Sequence, residues 1–189
     1  MNAALDAFVS GSALAGRAGR LLFVVTAGLE KESLTEPIAQ VTARLALEGP
    51  VTLLDGCNGT PAYRILRLIA AQSPEPEVAM SRVYVRRAFT CYQMIALLDG
   101  TPALPQPYIV LDPLSTFYDD QVPLREIERL LAVCQRHIER LSHVGLVLVA
   151  LHPPQTRERA FLVDRLCAQA DRLITAEFPE TQVLQPALL

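Results

Sequence analysis

Short, almost wholly apolar runs separated by stretches of helical periodicity limit the fold of this chain more than any other feature. LLFVVT (21–26), VTLLD (51–55), PYIVLD (107–112) and the apolar part of VGLVLVALHPP (144–154) carry no polar alternation. A strand with one wet face alternates. A strand without alternation is covered on both faces, which is the habit of parallel sheets. Between these runs lie helical segments. The clearest is 123–142, where Leu124, Ile127, Leu130, Leu131, Cys134, Ile138 and Leu141 keep one apolar face. Others are predicted from Ser33 or Thr35 to about Leu47, over 62–72, over 90–100 and near 157–170. Further short strands are predicted at 82–88, at 171–177 and at TQVLQ (181–185), and Pro74 and Pro76 are read as a break. Strands that alternate with helices predict an α/β fold: a mostly parallel sheet with helices on both faces and right-handed crossovers. The reading is one domain over 1–189, in which 1–20 is an Ala- and Gly-rich N-terminal extension with a short helix over 2–9.

The totals narrow the function classes. Hydrophobic residues are 51% and charged residues 20% of the 189, which suits a folded globular chain with a sizeable core. The net charge is −3, so a bulk electrostatic grip on nucleic acid is not expected. No apolar run is long enough to span a bilayer. Ala13-Leu14-Ala15 has the A-x-A form of a cleavage site but lacks a basic stretch before it, and no signal peptide is read. The expected location is cytoplasmic. Cys57, Cys91, Cys134 and Cys167 are too far apart for a C-x-x-C, so neither zinc nor a disulfide framework is indicated.

Catalytic strings are scarce. There is no G-x-S-x-G, H-E-x-x-H or paired-carboxylate string. His137, His143 and His152 have no metal-ligand spacing, and His152, ahead of Pro153 and Pro154, reads as a loop-fixing residue at a strand end. Cys57 follows the second strand with no spaced base beside it. Neither a catalytic residue nor a metal ligand is assigned. The arginines stand out, since Lys31 is the single lysine beside sixteen arginines. Many lie near acids at helical spacing and read as solvated pairs. Arg82, Arg86 and Arg87 cluster on one short strand with few acidic neighbours, and are the candidate DNA-backbone contacts.

The order of these signals resembles the RecA/RadA recombinase superfamily of P-loop ATPases. VTLLDGCNGTPAYRILRLIA resembles its second-strand segment, VYVRRAFTCYQMIALL the segment after it, PYIVLDPLSTFYDD the Walker B strand, ADRLITAE a late strand of the core, and ALDAF the element before the first strand. The resemblance implies a RecA-like sheet in which the strand at 21–26 lies between the strands near 172–176 and 145–151. It also implies a phosphate-binding turn after the first strand and a magnesium-binding aspartate at Asp112.

The phosphate-binding turn departs from that pattern. G-x-x-x-x-G-K-[S/T] fits LEKES in neither register. With Ser33 last, Thr26, Lys31 and Glu32 replace Gly, Gly and Lys; with Lys31 as the lysine, Glu30 and Glu32 replace Gly and Ser/Thr. Backbone can approach phosphate closely only where side chains are absent, and Glu30 and Glu32 would repel a triphosphate. Ser33, Thr35, Glu32 and Glu36 are instead expected to cap the helix start from within the chain. Lys31, Ser33 and Asp112 then form a vestigial nucleotide site with no cofactor; the plainer reading is an ordinary turn that never held phosphate. After the second strand the turn reads Asp55-Gly56-Cys57-Asn58, without the family's catalytic glutamate. None of the six phenylalanines has Ala three residues on, so the Phe-x-x-Ala link between recombinase subunits is missing.

The expectation is a non-catalytic RecA-like paralogue, an accessory or scaffold in DNA recombination or repair. Its partners would be a RecA-like protein or a second copy of itself, and DNA weakly and without sequence preference. The alternatives are an active ATPase with an atypical phosphate loop and a protein-only interaction module.

Overall fold

The computed structural model describes residues 20–26, 34–154 and 157–176. Six strands form one all-parallel sheet: β1 (Arg20–Thr26), β2 (Val51–Asp55), β3 (Val83–Arg87), β4 (Tyr108–Leu111), β5 (Leu146–Leu151) and β6 (Arg172–Ala176), in the order β3-β2-β4-β5-β1-β6. β1 therefore sits between β5 and β6, as the resemblance implies. β2, β4 and β5 are buried along their whole length, which is why their sequences do not alternate. β3 is one of the two edge strands of this order and is mostly exposed.

The helices are α1 (Thr35–Glu48), α2 (Ala62–Ala70), α3 (Pro76–Met80), α4 (Cys91–Asp99), α5 (Leu124–Ser142) and α6 (Phe161–Cys167). They cover both faces. On one side Ile38, Val41, Leu45, Ile65, Ile69 and Ala79 from α1–α3 pack on Leu53, Ile109 and Leu148. On the other, Met94, Leu98, Ile127, Leu131, Cys134 and Ile138 from α4 and α5 pack on Leu54, Val110 and Val149. Successive residues of one strand thus feed opposite cores.

Several boundaries moved, each for a local reason. Pro76 does not merely break the chain: it stands at the first turn of α3, where its missing N–H is no loss. The segment predicted as one helix near 157–170 is a 3₁₀ turn (Arg157–Arg159) followed by α6. The Asn2–Val9 helix and the TQVLQ strand lie outside the described residues.

The capping expectation is corrected in part. Thr35 is the first helical residue of α1, and Leu34, which has no capping group, holds the position before it. The Glu36 carboxylate accepts from Gln40 Nε2 at 3.0 Å and from Arg64 Nη1 at 2.9 Å, which ties α1 to α2. Ser33, Lys31, Glu30 and Glu32 lie outside the described residues. Among the described helices Thr90 does cap, accepting from the Gln93 N–H at the start of α4.

Candidate functional site

Two aspartates end buried parallel strands and meet at the carboxyl edge of the sheet. The first, Asp55, closes β2. Its side chain has no exposed surface and organises the turn that follows: Oδ1 accepts the N–H groups of Cys57 (3.1 Å) and Gly59 (3.2 Å), and Oδ2 accepts the Thr60 N–H (3.0 Å) and hydroxyl (2.6 Å). Arg87, its register partner on β3, brings Nε to 3.4 Å. Burial pushes this carboxyl up, but the hydrogen bonds from Thr60, Gly59 and Cys57 outweigh it and hold the group below the ordinary carboxylate range. Inside the turn Asn58 adopts φ 55°, a left-handed conformation that asparagine tolerates.

The second, Asp112, follows β4 with φ 45° and ψ 59°. Its N–H donates to Ala150 O at 2.7 Å, and its carboxylate is fully buried. Asp112 Oδ2 lies 2.6 Å from Nδ1 of His152, the residue that follows β5. Because β4 and β5 are parallel neighbours, their carboxyl ends, and so Asp112 and His152, fall side by side. Tyr118 Oη donates to His152 O at 3.3 Å, and burial pushes that phenol well up. Gly56 threads between these parts. Its N–H donates to Leu111 O at 2.8 Å, and a Cβ there would lie 2.5 Å from Asp112 O.

Thr35, Ile38, Cys57, Asn58, Asp112 and His152 border a cavity of about 200 Å³. Cys57 is not an activated nucleophile. Burial pushes its thiol up to about 12, and the charges of Asp112 and Asp55 add to the effect. Among the described residues no group of three His, Cys, Asp or Glu could hold a metal ion.

Asp112 has the position at which the family resemblance implies a magnesium ligand, but its surroundings do not fit one. A carboxylate that binds magnesium shares the ion with waters and phosphates and needs an open side. Here the carboxylate is buried, its only open side among the described residues is the small cavity it borders with Cys57 and His152, and an imidazole stands 2.6 Å from one of its oxygens.

The three arginines singled out from the sequence lie together at the β3 edge but point to internal work. Arg82 donates to Ala46 O (3.3 Å) and Leu47 O (3.2 Å), the last carbonyls of α1. Arg87 is held by Asp55. Arg86 makes one hydrogen bond, to Gly100 O at 3.3 Å, past the end of α4. A groove of about 460 Å³ runs beside them, bordered by Arg86, Arg87, Phe89, Gln93 and Leu97.

The Asp112–His152 and Asp55–Arg87 pairs were missed by sequence reasoning. The available signal was that each aspartate and its partner stand at strand ends; strand order was needed to pair them. No protein-family model and no curated protein matches the chain.

Proposed function

We propose that this chain is a non-catalytic member of the RecA-like ATPases that serves as an accessory or scaffold protein in DNA recombination or repair. The observation that carries the reading is the Asp112–His152 pair. At the strand end where an ATPase of this kind keeps a metal ligand, this chain keeps a buried aspartate beside an imidazole. The sequence of the turn after β1, with Glu30 and Glu32 and without the two glycines, agrees with that. The position of β1 between β5 and β6 supports the RecA-like part of the reading.

A protein-only role is the second reading. Arg82 and Arg87, two of the three candidate DNA contacts, are engaged within the chain, which leaves little charge for phosphate. Calorimetric titration with a non-hydrolysable ATP analogue and magnesium tests the non-catalytic claim. No heat is expected, and saturable micromolar binding would promote an active ATPase instead.

A further inference from the structure

The outer edge of the sheet carries a pattern that the nucleotide reading does not use. Among the described residues β3 pairs with β2 alone. The Val51 N–H donates to Arg82 O at 3.0 Å, and the Ala88 N–H donates to Asp55 O at 2.9 Å. In a parallel ladder every second residue turns both main-chain groups to the same neighbour. Arg82, Tyr84, Arg86 and Ala88 therefore face β2. Val83, Val85 and Arg87 direct their N–H and C=O groups outward.

Side chains alternate as well. Tyr84 and Arg86 share one face, and Val83, Val85 and Arg87 the other. Tyr84 is 55% exposed and Val85 38%. Edge strands of soluble proteins are usually blunted by proline, bulges, charged side chains or a covering segment; the charges on this strand are Arg86 and Arg87, and Arg87 is paired with Asp55 of its own chain. VYVRR has no proline, and each of its residues has a register partner on β2, so no bulge interrupts it.

We propose that β3 pairs with β3 of a second copy about a twofold axis at Val85, so that two sheets join into one. A twofold axis makes the paired edges antiparallel. Centring it on Val85 sets Val85 against Val85, and Val83 against Arg87 of the second copy. All these residues have outward main-chain groups, so this register makes the most hydrogen bonds that the edge can offer. The intervening pairs then set Tyr84 against Arg86 of the second copy, twice. A guanidinium over a phenol ring is a favourable contact. No two arginines stand directly opposite, and the charge of Arg87 is met by Asp55 in its own chain. The strand is thus complementary to itself in side chains and in main chain. This inference is independent of whether the chain binds nucleotide.

The test is the mass of the full chain in solution by light scattering and sedimentation, from low micromolar to near-millimolar concentration. The wild type is expected to move from one chain toward two. Val85→Pro removes an outward N–H only, so the β2 ladder and the circular dichroism spectrum should persist while the dimer is lost. Tyr84→Arg, at an exposed side chain, sets arginine against Arg86 of the second copy and should also give a single chain. Tyr84→Glu offers Arg86 a carboxylate and should keep the dimer but make it dissociate as salt rises. A wild type that stays single at all concentrations overturns the proposal and leaves the edge to an extended segment of another protein. A dimer that survives both Val85→Pro and Tyr84→Arg uses another surface and overturns it too. Loss of the dimer in Tyr84→Glu would refute the register.

Discussion

Asp112 Oδ2 and His152 Nδ1 stand 2.6 Å apart at the ends of neighbouring parallel strands, both side chains almost without exposed surface. Removing the polar group beside a buried carboxylate leaves that carboxylate in a medium that solvates it poorly. His152→Ala should therefore cost about 1–3 kcal/mol in denaturant unfolding, the penalty for a buried acceptor that loses a polar partner. Asp112→Asn, which removes the charge and keeps the shape, should cost less. Equal stability of His152→Ala and the wild type would show that the contact contributes nothing.

Asp55 gives the acid limb of stability a definite sign. Its folded carboxyl is held below its ordinary value of 3.8. The unfolded chain therefore takes up this proton first as pH falls. The contribution is fully present above the ordinary value and is lost as pH drops through the lowered one. Asp55→Asn should flatten the stability profile in that acid window. Thr60→Val, which removes the 2.6 Å hydroxyl bond, should cost about 1.5–3 kcal/mol at neutral pH, the range for a hydrogen bond to a charged group. Unfolding midpoints measured across the acid range check both.

Thiol reactivity should rank by burial and local charge. Cys57 and Cys167 are both half-buried, with thiols pushed up to about 12 and about 11 respectively. The thiolate is the reactive form, so both should alkylate slowly, Cys57 the more so because two carboxylates oppose its ionisation. Asp112→Asn should raise the Cys57 rate, because one of the charges opposing ionisation is gone. Peptide-resolved mass spectrometry of iodoacetamide-treated protein reads both rates. Rapid labelling of Cys57 would contradict the neutral thiol.

Gly56→Ala should be strongly destabilising. The added Cβ would lie 2.5 Å from Asp112 O and 2.8 Å from Met94 Cε. The methionine can swing aside, whereas the backbone oxygen belongs to the strained residue that holds His152. Overpacking of this kind costs about 1–3 kcal/mol, and the upper end is expected here. A melting temperature equal to that of the wild type would show that the two strand ends can separate freely.

The arginine cluster makes a graded prediction for DNA. Arg82→Ala should lower stability by about 1 kcal/mol through the lost α1 carbonyl bonds and leave any weak oligonucleotide binding nearly unchanged. Arg86→Ala should reduce binding and lower the salt slope on single strands by about 0.7, the share of one phosphate contact. Anisotropy of a labelled oligonucleotide at low salt measures this. Absence of binding there favours the protein-only role.

The sequence by itself determined the layers of this fold. The apolar runs at 51–55, interrupted by Thr52 and closed by Asp55, and at 146–151 read as strands covered on both faces, and the apolar stripe of 124–142 reads as a helix laid on one of them. Those are local facts of periodicity, legible without neighbours. Tertiary structure decided what the strand-end residues do. Asp112 and His152 are forty residues apart in the chain, and so are less than one contact in any local window; parallel pairing of β4 and β5 sets them together. Likewise Arg87 reads as a free surface cation until the β2–β3 register sets it against Asp55, and Glu36 reads as a helix cap until α2 brings Arg64 within reach. Charge and hydrogen-bond energies act over a few ångströms of space, and only the folded sheet converts sequence separation into that distance.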